Sequence, residues 1–320
     1  MSSSNVTTSS AIQNEIDTIN SFIISYARYV YPIIFLFGII CNILNIYVFT
    51  QSTLKRNPCC MYFLASSFAA LIYTAVNLPL RTLQMGYNID PTVTVLVVCK
   101  LKNFFVYTWR ALAVWFLTLA CIDRFLHSST NANFRRWSSY KVASRVIPLT
   151  FLLAHLAYLH VAVFYEILLP RRTCSIQNSS YTMFLGIWHL LTYGTGPPLL
   201  MLFFSLLTIQ HIRHRQIVPV NSQLNEAIRN SNKDRSLVRM ALFQCLIVGL
   251  TTTAYAAFQW YSTLTANQVK TNLQLTKDNL AANIVGSISA AGHSTTFFIF
   301  TLTSRMFRKQ LLCHHRQEIF

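Results

Sequence analysis

The sequence predicts an all-α fold: a seven-transmembrane helix bundle with a short amphipathic interfacial helix after helix seven. Three observations predict it. Seven apolar runs are each long enough to cross a bilayer, which takes about 20 residues of helix. The chain is 53% hydrophobic and 11% charged, with a mean hydropathy of +0.41, whereas soluble domains carry about 25% charged residues. Its basic residues gather in the loops on one side of the runs, as cytoplasmic loops do.

The runs lie at 24–50, 59–83, 97–127, 143–166, 184–212, 236–262 and 280–302. Met1 to Asn20 is polar, with neither a basic start nor an apolar centre. It does not read as a cleavable signal peptide, so residues 1–23 are expected to be an extracellular segment and the first helix an uncleaved signal. Residues 24–302 form the bundle. The third run has Cys99 at one end and Asp123-Arg124-Phe125 at the other, and the fifth holds Pro197-Pro198. The link from Arg213 to Arg235 is polar and helix-compatible. After the seventh run, Ser304 to Leu312 can turn Met306, Phe307 and Leu311 to lipid and Arg305, Arg308 and Lys309 to water, so 303–320 reads as an interfacial helix and a short tail. No internal repeat of the transporter kind is present.

The net charge of +17 has two readings, a nucleic-acid surface or the loop bias of a membrane protein. Placement favours the second, and no nucleic-acid partner is expected. Of the 26 Lys and Arg residues, 17 fall on one side of the runs, eight on the other, and Arg110 inside the third run. The positive-inside rule then puts the N-terminus outside and the C-terminus in the cytoplasm of a multi-pass plasma-membrane protein. The sequons at Asn5 and Asn178 both fall outside, where glycosylation occurs.

The eight cysteines show no metal-ligand spacing, and neither a metal nor a cofactor is expected. Cys41, Cys121 and Cys245 lie in apolar runs as packing residues. Cys99 and Cys174 both fall near helix ends on the outer face and are the expected disulfide, which needs an oxidising compartment. Cys313 closes the interfacial stretch, as a palmitoylation site or a free thiol.

Several motifs, in order and at consistent spacing, carry a resemblance. They are Gly38-Ile39-Ile40-Cys41-Asn42, the pair Cys99 and Asp123-Arg124-Phe125, Cys174 in the second outer loop, Pro197-Pro198, Thr296-Phe297-Phe298-Ile299-Phe300, and Thr303-Ser304-Arg305-Met306-Phe307-Arg308. Over about residues 24–313 the chain resembles the rhodopsin-like G-protein-coupled receptors, with divergent, orphan-type features. It departs where that family has Asn-Pro-x-x-Tyr in helix seven, a sodium-binding Asp in helix two (here Ala70), a serine completing that site (here Ala113), and Trp and Pro in helix six (here Thr251 to Tyr255). His293 falls near the emptied sodium pocket, as a polar substitute or a hydrogen-bonded core histidine.

The resemblance implies an extracellular ligand, a peptide or small molecule, and a heterotrimeric G protein as partners, with membrane lipid around the bundle. Intramembrane charges are costly and mark function. Arg124 is the expected switch, with Asp123, Phe125, Phe300 and Asp234 around it; the alternative is an interfacial cap. Arg110 lies about four turns outward on the same helix, at the depth where the family binds ligands. Val106 stands where amine receptors place an acid, so an amine ligand is not expected. A cationic pocket favours a carboxylate, an acidic lipid or a peptide; alternatively Arg110 pairs with Glu166 or with carbonyl groups. Arg81, Tyr107, Trp188, His189, Tyr255, Gln259 and Trp260 are the further candidate pocket residues, with Lys100 and Lys102 at the rim; aromatics at helical spacing can equally be packing. The segment Arg171 to Ile176 reads as a tethered lid, which by resemblance suits a peptide.

Other classes fit less well. A transporter or channel needs midplane ionisable groups or broken helices. A retinal-based light sensor needs a Lys inside helix seven, and none is there. A chemosensory receptor for small odorants stays open. No constellation of His, Cys or Ser with acid partners suggests an enzyme.

Overall fold

The computed structural model describes residues 2–304 except 53, 171, 217–223, 266 and 267, together with 307, 308 and 311; the side chains of 2–9 and 213–236 lie outside it. Helices α1 (Ser2–Phe49), α2 (Pro58–Arg81), α3 (Leu96–Ser128), α5 (Tyr140–Phe164), α6 (Ser179–His189) with α7 (Gly196–Gln216), α8 (Leu224–Leu264), and α9 (Asn272–Ser294) with α10 (Thr296–Thr303) form the seven passes, and α4 (Ala132–Trp137) lies between the third and fourth. Six of these passes contain helices long and apolar enough to span a membrane. The seventh, α9 with α10, is polar at its outer end and broken at Thr295.

Local chemistry sets the boundaries. Asn57 caps α2, its side chain accepting from the amides of Cys59 and Cys60, with Pro58 in the first turn. Ser139 caps α5 and Asn178 caps α6 in the same way. The fifth pass is not kinked inside a helix at its prolines. A π-helical turn over Leu190–Gly194 joins α6 to α7, and Pro197 and Pro198 occupy the first turn of α7, where a missing amide costs least. At Gly194 any side chain would collide with Ala256, so glycine sets how closely the fifth and sixth passes approach.

Several boundaries differ from the sequence expectation; α6 and α8 begin five and twelve residues ahead of the fifth and sixth runs. Helix α1 begins at Ser2, 22 residues ahead of the expected start of the first span at 24; the segment lacks proline and glycine breakers. The seventh pass starts at Asn272, eight residues early, behind the Thr271 cap. It then breaks at Thr295 without a proline. Thr295 Oγ1 turns back to the Gly292 carbonyl, and Asn45 of α1 donates to Thr296 Oγ1 at 2.7 Å, a bend of the kind that threonine back-bonding produces.

Among the described residues one β-hairpin lies on the outer end. Strands β1 (Tyr165–Leu168) and β2 (Thr173–Ile176) pair antiparallel, with Glu166 opposite Ser175. Cys99 and Cys174 form a disulfide that pins β2 to the start of α3. At the other end, Phe49, Phe63, Phe300 and Phe307 are buried together, with ring centroids 4.9–5.8 Å apart. This corrects one orientation. Phe307 faces the bundle rather than lipid, because three aromatic rings receive it, and Leu311 also packs against the core. Met306 and Cys313 lie outside the described residues.

Candidate functional site

Helix α3 carries a charge at two depths. At its outer half Arg110 is 4% exposed. Its Nη2 donates to His189 Nε2 at 3.0 Å and to the Tyr255 hydroxyl at 3.2 Å. Its guanidinium lies 4.3–5.9 Å from the ring centres of Tyr73, Tyr107, Tyr193 and Tyr255, a cage in which ring quadrupoles partly replace water around the cation. Among the described residues no carboxylate pairs with Arg110. The alternative partner, Glu166, sits exposed on β1.

Two cavities meet here. The outer one, about 480 Å³, lies under the hairpin and is bordered by Tyr107, Tyr165, Ser175, His189, Gln259 and Lys270 among others. The inner one, about 70 Å³, is bordered by Arg81, Lys102, Arg110, Tyr73, Asn77 and Tyr255 among others. Tyr107 borders both. Between them runs a polar chain, Arg110 to His189 and Gln259 Nε2 to the Tyr255 hydroxyl at 2.8 Å.

The candidate pocket residues therefore divide. Arg81, Tyr107, Arg110, His189, Tyr255 and Gln259 come together around the two cavities. Trp188 and Trp260 do not. Trp188 turns toward α5 and stacks near His160 and Phe184, and Trp260 is 36% exposed on the outside of α8. Lys102 moves the other way, from the expected rim into the inner cavity, while Lys100 stays outside and donates to the Val163 carbonyl. Tyr193, one of the aromatics expected to line the cavity, joins the cage, and Tyr73 joins it unforeseen, since a tyrosine at helical spacing also reads as packing.

Asp90, in the loop before α3, stabilises this end. Partial burial opposes its ionisation, but hydrogen bonds from Thr92 and Gln84 hold its carboxyl below the usual range.

At the inner end of α3, Arg124 and Asp123 form a buried ion pair, Nη2 to Oδ2 at 2.6 Å, with side chains 3% and 4% exposed. Ser138, just after α4, donates to the other carboxylate oxygen at 2.8 Å. The pair is thus inside the fold rather than a solvated cap. Phe125 stacks on His211 of α7 at 5.2 Å, and Phe300 sits in the aromatic cluster below. Asp234 falls within α8, but its side chain is outside the described residues, as is that of Asn5. Asn178 is exposed.

The residues do not fit the sodium ion that the resemblance implies. Ala70 and Ala113 are 2% and 0% exposed and offer no side-chain oxygen. Ser66 Oγ is engaged by the Ala113 carbonyl, and His293 Nε2 by the Tyr193 hydroxyl at 3.2 Å. A hard cation wants oxygen ligands, several of them, so His293 serves as a hydrogen-bonded core residue.

Comparison with curated proteins gives no match. A family model described as 7 transmembrane receptor (rhodopsin family) matches residues 41–291, which include the disulfide's Cys99 and Cys174, both cavities' cations and the Asp123–Arg124 pair. The chain belongs to the rhodopsin family of seven-transmembrane, G-protein-coupled receptors, a family of receptors and not of enzymes.

Proposed function

We propose that the chain binds an extracellular ligand in the outer cavity and passes that event along α3 to a heterotrimeric G protein. One observation carries the reading: a single helix holds Arg110 at the cavity floor and Arg124 in a buried ion pair at the opposite end. A ligand that favours one arrangement of the bundle shifts the population in which Arg124 is released. The N-terminus then faces the exterior of the plasma membrane and the C-terminus the cytoplasm, with Asn5 and Asn178 available to glycans and Cys313 to palmitate.

A peptide is the ligand class best supported. The outer cavity is roomy, is lined by hydroxyls and amides, and lies under a hairpin whose backbone can pair with an extended chain. A small-molecule carboxylate or an odorant is the second reading, favoured by the enclosed aromatic cage around Arg110.

The test is a G-protein activation assay in cells expressing the chain, challenged with pooled peptides and pooled small carboxylates, with Arg124→Ala as control. An Arg124-dependent response is expected, and the active pool names the ligand class. Silence from well-expressed surface protein, with basal signal equal to that of untransfected cells, would overturn the coupling.

A further inference from the structure

We infer that the inner cavity is a carboxylate site, which takes an acidic group of the ligand between Arg110, Arg81 and Lys102. The inference rests on the outer cavity being the ligand's entrance.

Three cations border this cavity and no acid does. Arg81 and Lys102 make no side-chain hydrogen bond or ion pair among the described residues; Asp90 acts on Lys102 through space, but its carboxylate accepts from Gln84 and Thr92 instead. Arg110 is buried, its Nε has no hydrogen-bond partner, and its Nη2 meets only neutral groups. A buried cation without a counter-ion is expensive, and the two partly buried cations beside Arg110 add to the cost. An anion arriving there relieves the cost and completes the unfilled guanidinium donors.

Shape selects among anions. Two guanidinium forks match the two oxygens of a carboxylate, which a spherical ion does not exploit. The tyrosine hydroxyl of Tyr255 and the amide of Asn77 stand beside the cations as neutral donors. About 70 Å³ holds an acidic group and a methylene or two, and excludes a ring system or a bulky side chain. The group must therefore be the tip of a larger ligand whose body stays in the outer cavity. Passing the partition made by His189, Arg110, Tyr255 and Gln259, it would draw Arg110 from its tyrosine cage.

The experiment uses the purified full-length chain in lipid nanodiscs without a G protein, and reads thermal unfolding. The probes are butyrate, its neutral isostere butyramide, and chloride. Butyrate at ten times its dissociation constant is expected to raise the midpoint by about 3 °C, with no shift from butyramide. The shift is expected to vanish in Arg110→Gln and in the double variant Arg81→Gln/Lys102→Gln, whose side chains are only partly buried, so that one variant remains readable if the other fails to fold. Equal shifts from butyrate and butyramide, no shift from butyrate at all, an equal shift from chloride, or a full butyrate shift in both variants would each overturn the assignment. Two further arms locate the source of the carboxylate: peptide pools with free against amidated C-termini, and decanoate against decanol. A butyrate shift in a chain that never signals would sink the coupling and leave this site standing. A signalling ligand indifferent to its carboxylate would do the reverse.

Discussion

Replacing Asp123 with Asn removes one charge of the buried pair while keeping its volume and its hydrogen bond from Ser138. Taking one partner from a buried ion pair costs about 3–5 kcal/mol, because the other charge stays behind. Arg124 is held by more than Asp123, so the lower figure applies. In the proposed switch Arg124 leaves this pocket on activation, so the cost falls on the resting arrangement alone. About 3 kcal/mol is about a 150-fold change in the resting-to-active ratio; a receptor about 1% active at rest becomes about 60% active. Ligand-free guanine nucleotide exchange, measured in membranes at matched surface density, is therefore expected to rise by about 60-fold in Asp123→Asn. Exchange within twofold of the unaltered chain, in protein that is folded and at the surface, would refute the resting lock.

Three further outcomes follow from packing and covalent structure. Phe300→Ala empties the centre of the four-phenylalanine cluster and should destabilise the folded bundle by about 3–5 kcal/mol, seen as a lower thermal midpoint in nanodiscs. Gly194→Ala drives a methyl into Ala256 and should lower surface expression and stability, with Ala256→Gly restoring both in the double variant, since the two positions share one contact. Cys174→Ser opens a loop of 75 residues, worth about 4 kcal/mol by chain entropy; surface delivery should fall sharply, and unchanged surface levels would count against the disulfide's structural role.

Much of the bundle was legible because the bilayer dictates it. A run of apolar residues long enough to span can only be a helix when its backbone must satisfy itself, so the spans emerged from hydropathy. The Cys99–Cys174 bridge was legible because both residues fall on the same side of the spans, Cys99 at the start of α3 and Cys174 in the loop that holds β2. What hydropathy could not supply is which way a side chain faces. Lipid is as apolar as a protein core, so no polar stripe marks the outer surface of a spanning helix. That is why Trp188 and Trp260 read as pocket residues and Phe307 as lipid-facing, when Trp188 meets α5, Trp260 is exposed and Phe307 fills the core. Charges were more informative. Arg81 and Arg110 stood out because a cation in a membrane helix needs a reason, whereas Lys102, expected at the rim, borders the inner cavity. Ser138's bond to Asp123 joins residues 15 apart across a helix end, and no spacing rule reaches it. The break at Thr295 escaped notice because the expected signal was a proline, while Asn45 and two threonines do the same work.

The most direct test of the central claim is guanine nucleotide exchange in vesicles holding only the purified chain, one purified heterotrimer and the pool active in cells. The account predicts that the pool accelerates exchange on at least one class of heterotrimer and that Arg124→Ala abolishes the acceleration while the chain stays folded. Acceleration that persists in Arg124→Ala, or none with any heterotrimer from a folded chain that binds the pool, would contradict it.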